Sequence, residues 1–200
     1  VATVSDDFNR ADSTTLGSNW TGTWAGQIVS NAITLYGSGG GNYGAGWNAD
    51  TFSGNQYAQI TIVQLPTNEY AAGVAIRGSS DSNLAGGFCY GCCVRSDGAV
   101  RLVRNASVVY TSSAGAFSNG DVLRLEDRGG GNIVIVKNGT DYYTGYTDGA
   151  PLTGTYIGIF GWYFSSGANN FICDDWEGGD LGAAPSFKSA WAINSNQVIQ

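Results

Sequence analysis

From Asn132 to Thr144 the chain reads Asn-Ile-Val-Ile-Val-Lys-Asn-Gly-Thr-Asp-Tyr-Tyr-Thr, two strand-length runs joined by Asn138-Gly139. Such a pair in a two-residue loop needs positive φ at both positions, the geometry of a type I′ hairpin. Similar punctuation recurs along the chain. Ser30-Asn31 separates Gln27–Val29 from Ala32–Tyr36, Asp97-Gly98 joins Cys92–Arg95 to Val100–Arg104, and Asn105-Ala106 turns back into Val108–Tyr110. Gln56–Leu65 alternates, with Tyr57, Gln59, Thr61 and Val63 on one face and Ala58, Ile60, Ile62 and Gln64 on the other. Further strands are expected at Tyr70–Arg77, Phe88–Arg95, Asp121–Asp127, Tyr156–Phe164 and Asn170–Glu177. No segment sustains a helical period, although Ser13–Leu16 suits one turn capped by Ser13. The reading is an all-β, two-sheet antiparallel sandwich, and 200 residues suit one such domain.

Composition agrees. Gly is abundant at 31 residues and Met is absent, while Lys and Glu, good surface-helix formers, are nearly missing. The net charge is −7 and the seven arginines are scattered from Arg10 to Arg128, so nucleic acid is a poor partner. No apolar run approaches the ~18–20 residues of a membrane span. Val1-Ala2-Thr3-Val4 shows no basic region followed by an apolar stretch. Either a leader was removed or the protein leaves its cell by another route, such as inside a virus particle.

Cys89, Cys92, Cys93 and Cys173 superficially suggest zinc. Yet the first three lie in a strand-like stretch with no histidine anywhere to assist, and Cys89 and Cys93 share one face while Cys92 points to the other. Buried small hydrophobes, or one disulfide to Cys173, is the favoured reading over zinc; the pairing is not fixed by sequence.

Three segments carry a family likeness. Asp6-Asp7-Phe8-Asn9-Arg10-Ala11-Asp12 with Leu16-Gly17-Ser18-Asn19-Trp20 opens the chain. A strand, a Gly-rich turn and a strand ending in Asn-Gly follow at Val122–Leu125, Gly129–Gly131 and Ile133–Gly139. Gly158-Ile159-Phe160 and Ile172-Cys173-Asp174-Asp175-Trp176 close it. In that order, over residues 6–178, they resemble concanavalin A-like (laminin-G/glucanase) jelly-roll domains, which occur in secreted polysaccharide-processing proteins and phage structural proteins. The resemblance implies adjacent, antiparallel first and last strands, bringing Asp6 and Asp7 near Asp174 and Asp175. A structural Ca²⁺ would relieve their repulsion, with these four as candidate ligands; the alternative turns one Asp of each pair to solvent, where it caps turns.

Glycoside hydrolases of this superfamily need two carboxylates flanking the scissile bond, usually in Glu-x-Asp-x-x-Glu. Leu125-Glu126-Asp127 is the nearest approach and lacks the first Glu. The lyases of the fold use a histidine, which this chain does not contain. Ser-His-Asp and Cys-His chemistry fall on the same absence, so the expectation is a non-enzyme. Binding remains. With Ile157 and Ile159 facing the core, Tyr156, Phe160 and Trp162 share the opposite face, and Trp47, Arg77 and Arg95 could join them around a sugar.

Residues 1–180 read as the jelly roll and 181–200 as a tail or docking arm. The arm is apolar, with Phe187, Trp191, Ile193, Val198 and Ile199 as candidate partner contacts. The functional expectation is a phage virion-surface structural protein, a capsid decoration or fibre-type module, with glycan-binding capacity. Its arm would meet other virion proteins or sister subunits, its outer surface a host glycan. The alternative is a secreted bacterial carbohydrate-binding module, and the second alternative a polysaccharide-degrading enzyme of the same superfamily.

Overall fold

The alternation at Gln56–Leu65 becomes strand β6, Gln56–Gln64, with Ala58, Ile60 and Ile62 fully buried. The computed structural model describes residues 2–22, 26–37, 43–67, 71–84, 88–162 and 167–182. Sheet A contains β1 (Thr3–Asp6), β3 (Gly26–Val29), β4 (Ala32–Gly37), β6, β11 (Val122–Asp127), β12 (Asn132–Lys137), β13 (Thr140–Thr147) and β15 (Gly167–Asp180). Their order is β13-β12-β11-β6-β15-β4-β3, with β1 also on β15. Sheet B contains β2 (Trp20–Thr21), β5 (Tyr43–Trp47), β7 (Ala71–Gly78), β8 (Tyr90–Val94), β9 (Val100–Arg104), β10 (Ser107–Thr111) and β14 (Tyr156–Trp162). Its order is β10-β9-β8-β7-β14-β5-β2. Neighbours pair antiparallel throughout, and the two sheets enclose the core between them.

The turns follow their chemistry. Ser30 and Asn31 have φ of 53° and 63°, Asn105 and Ala106 45° and 61°, Asn138 and Gly139 51° and 77°. All three loops therefore have the positive φ pair of a type I′ turn. Asn105 and Asn138 tolerate that region better than most residues, whereas Ala106 adopts it at a cost of roughly 1 kcal/mol. Ser13–Leu16 is not a helical turn. Ser13 bridges Ile28 on β3 and its Oγ accepts the Thr15 amide at 3.1 Å, a local bond that competes with helix. Asp81–Asn83 forms the only 3-10 turn among the described residues.

β15 is the spine of sheet A. One side pairs with β6; the other pairs first with β4 through Gly167–Cys173, then with β1 through Trp176–Gly179. Between these halves the register shifts at Asp174–Glu177, and Asp175, at φ 48°, forms the bulge. The bulge returns Trp176 to the core. There it stacks on Trp47 with ring centroids 5.4 Å apart and meets Trp20 edge-on at 4.7 Å.

Candidate functional site

The outer face of sheet B is built in rows set by strand register. Phe160, Gly73, Cys93, Arg101 and Thr111 lie side by side across five strands. The next row is Gly158, Ala75, Gly91, Val103 and Val108. One half of this face is roofed by the chain around Asp81–Leu84. Glycines admit it: a Cβ on Gly158 would lie 2.8 Å from Leu84 Cδ1, and one on Gly46 would strike the Asp81 backbone. Leu84, Cys89, Cys93, Val103, Ala75 and Phe160 then make a second, smaller apolar core.

That roof corrects one expectation and the main core another. Phe160 does leave the main core, as alternation requires, but it is fully buried in the outer cluster and offers a sugar no ring. Trp47 is 6% exposed inside the tryptophan cluster, its Nε1 donating to Asp50 Oδ2 at 3.0 Å. Arg77 is also diverted. With φ at 59° it turns to Asp127, its Nε 2.6 Å from Oδ2, while its own amide donates to the fully buried Gln56. It ties the sheets together. Tyr156 is half-buried at the start of β14. The backbone of Trp162 ends that strand, and its side chain lies outside the described residues.

The other half of the face holds Arg95 and Arg101. Arg95 continues the alternation of Cys93, and its amide donates to Ala99 O at 2.8 Å. Arg101 is paired with Cys93, so the two arginines are diagonal cross-strand neighbours on one face, within reach of each other's long side chains. The Nε of each is buried without a hydrogen-bond partner. Arg95 reaches Asp97 at 3.4 Å, while Arg101 is the one described arginine that makes no ion pair. Arg101 was not among the sequence candidates. The Asp97-Gly98 hairpin register, which puts Arg101 opposite Cys93, carried the signal.

The acidic seam forms as the antiparallel pairing of the first and last strands. β1 pairs with β15, Asp6 opposite Trp176. Asp6, however, is fully engaged: Arg10 binds both its oxygens at 2.6 and 2.9 Å, Trp20 Nε1 donates at 2.8 Å and the Phe8 amide at 2.9 Å. Burial alone would raise the Asp6 carboxyl, and the Arg10 and Trp20 bonds outweigh it, holding it below the ordinary value. Asp7 and Asp175 are exposed; Asp7 accepts the Asn9 amide, Asp175 meets the Thr61 hydroxyl, and Asp174 accepts the Asp175 amide. Asp174 is pushed up by burial and by the charges of Asp175, Asp7 and Asp6. Among the described residues no three metal-ligating groups come together; Asp6 is claimed by Arg10, while Asp6, Asp7 and Asp175 border the same groove beside the seam. That groove, of about 250 Å³, is also lined by Ser5, Gln59 and Glu177 among others.

The thiols divide as the alternation required: Cys92 and Cys173 in the main core, Cys89 and Cys93 in the outer cluster, all four free and buried. Burial drives Cys89 and Cys93 up to about 12. No disulfide joins them, and among the described residues no three metal-ligating groups come together. Glu126, the nearest approach to a hydrolase carboxylate, is 7% exposed and held between Arg124 Nε and Arg128 Nε, each at 2.6 Å. The arm residues Phe187, Trp191, Ile193, Val198 and Ile199 lie outside the described residues.

A further aromatic surface escaped the sequence reading. On β13 the register shifts around Tyr142, and Tyr143 stacks on Tyr110 of β10 at 3.6 Å, closing the side of the sandwich. Tyr142 stays 36% exposed, edge-on to Phe117.

No protein-family model and no curated protein matches the chain. Solved structures do. The carbohydrate recognition domain of Emp47p superposes with a TM-score of 0.59 at 10% identity, over 90% of this chain and 95% of that one. The carbohydrate-binding module CBM66 from Bacillus subtilis gives 0.52 at 17% identity, over 79% and 92%. The exoplasmic/lumenal domain of VIP36, in a Ca²⁺/Man3GlcNAc-bound form, gives 0.52 at 8% identity, over 84% and 87%. The chain shares with all three an all-β, two-sheet jelly-roll fold.

Proposed function

We propose that this chain is a non-catalytic, extracellular carbohydrate-binding module whose ligand lies on the open half of the outer face of sheet B. The observation that carries the reading is the pair Arg95 and Arg101, guanidinium donors side by side with Arg101 unpaired. Guanidinium groups present five N–H donors in a fixed fork, suited to sugar oxygens. Support also comes from the fold, which this chain has in common with two carbohydrate recognition domains of other proteins and with CBM66. Catalysis is disfavoured by the lack of histidine and by the two ion pairs that immobilise Glu126.

A glycan array on the protein tests the reading. Saturable binding that weakens about tenfold in Arg101→Ala, as loss of a charged hydrogen-bond donor implies, supports it. Silence across the array favours instead a purely structural role, such as the virion-surface one. Because Asp6 is already braced by Arg10, binding is expected to survive EDTA; loss of binding in chelator would point to a cation-dependent site elsewhere.

A further inference from the structure

The two outer faces of the sandwich differ in charge. On sheet A the register sets Asp141, Val136, Arg124, Gln59, Glu177 and Ser5 in one row, and its arginines are paired with its acids. The two rows of sheet B hold no carboxylate at all. Their neighbours facing Arg101 are Cys93 and Thr111, and Arg95 has only Asp97, 39% exposed, at 3.4 Å. In a chain of net charge −7 this is a local cationic site.

An arginine that meets a carboxylate in a protein often does so through two parallel N–H bonds. The Nε of each side chain is covered and without an acceptor, so an oxyanion would meet the terminal Nη groups, which no carboxylate among the described residues claims on Arg101. A guanidinium with few acceptors of its own gains most from a charged oxygen brought to it. Two arginines are too few to track a phosphate backbone against this net charge. They suit one or two isolated acidic groups on an otherwise neutral ligand.

Resting on the carbohydrate-binding reading above, we infer that the ligand is an acidic saccharide, whose uronate carboxylate or sulfate ester is held between Arg95 and Arg101. Thr111, exposed beside Arg101, is placed to bond a neighbouring hydroxyl.

Calorimetric titration with matched pairs tests this: an oligogalacturonate against its methyl ester, and a sulfated oligosaccharide against its desulfated form. One member of a pair is expected to bind at least about tenfold more tightly when charged, with affinity falling as salt rises. The preferred pair tells carboxylate from sulfate. Arg101→Gln should abolish the preference, Arg101→Lys should keep part of it by retaining charge without the fork, and Arg128→Gln on sheet A should leave it intact. Equal binding of charged and neutral members, unchanged in Arg101→Gln, would overturn the acidic ligand while leaving carbohydrate binding in place. Binding of no saccharide, charged or neutral, would overturn both.

Discussion

Asp6 gathers three donors on one carboxylate: the Arg10 guanidinium and the Phe8 amide of its own turn, and the more distant Trp20 indole. Asp6→Asn should destabilise the fold by about 1–2 kcal/mol in urea unfolding, discounted for its partial exposure. Its folded-state value lies below the unfolded one, so its stabilisation is present at neutral pH and lost as pH falls through the folded value. Asp174 has the opposite sign. Its folded value lies above the unfolded one, so its charge costs stability at neutral pH and the cost disappears on acidification. Asp174→Asn should therefore stabilise the fold at neutral pH by a few tenths of a kcal/mol, read as a higher urea midpoint, and the gain should vanish as pH falls into the carboxylate range. At this scale the sequence was only partly legible. Alternation along Tyr156–Trp162 told correctly that Phe160 leaves the main core, and could not tell that Leu84 covers it. The face a residue points to is local; what lies over it depends on the β7–β8 connection many residues away. The adjacency of the acidic ends was foreseen through the family resemblance, whereas the bracing of Asp6 by Arg10 depends on a turn geometry no motif announced.

Among elements, the hairpins were the most legible because their turns are chemically self-contained. Asn138-Gly139 and Asn105-Ala106 dictated register within a few residues, and the Asp97-Gly98 turn placed Arg101 opposite Cys93. β2 and β5 were missed, since two residues in one case and a Gly-rich run in the other carry no period to read. Glycine there has a packing role that periodicity does not reveal. Gly91 is a clear instance: a Cβ would sit 2.6 Å from the Phe160 ring, with the ring itself pinned under the β7–β8 connection. Gly91→Ala should cost about 1–3 kcal/mol by overpacking, measurable as a lowered Tm. An unchanged Tm would mean that the roof over sheet B is looser than its apolar cluster implies.

For the whole molecule, the four cysteines report on integrity. Each is fully buried, and burial holds Cys89 and Cys93 in the unreactive thiol form, with Cys92 and Cys173 raised likewise. A thiol-specific colorimetric reagent should find none of them in the native protein and all four in urea. Reaction of one or two without denaturant would show the outer cluster opening independently of the main core. Such opening would begin at the roof, the thinner of the two apolar layers. The seam on β15 has a different consequence. The Ala2 carbonyl accepts the Asp180 amide at 2.9 Å, so the chain enters and leaves the sandwich at a single point. A unit with that arrangement can be spliced into a surface loop of another protein without forcing the host's backbone apart, or be circularly permuted by a short linker. Whatever is joined directly at Ala2 or Asp180 is anchored on sheet A, leaving the arginine face on the other sheet.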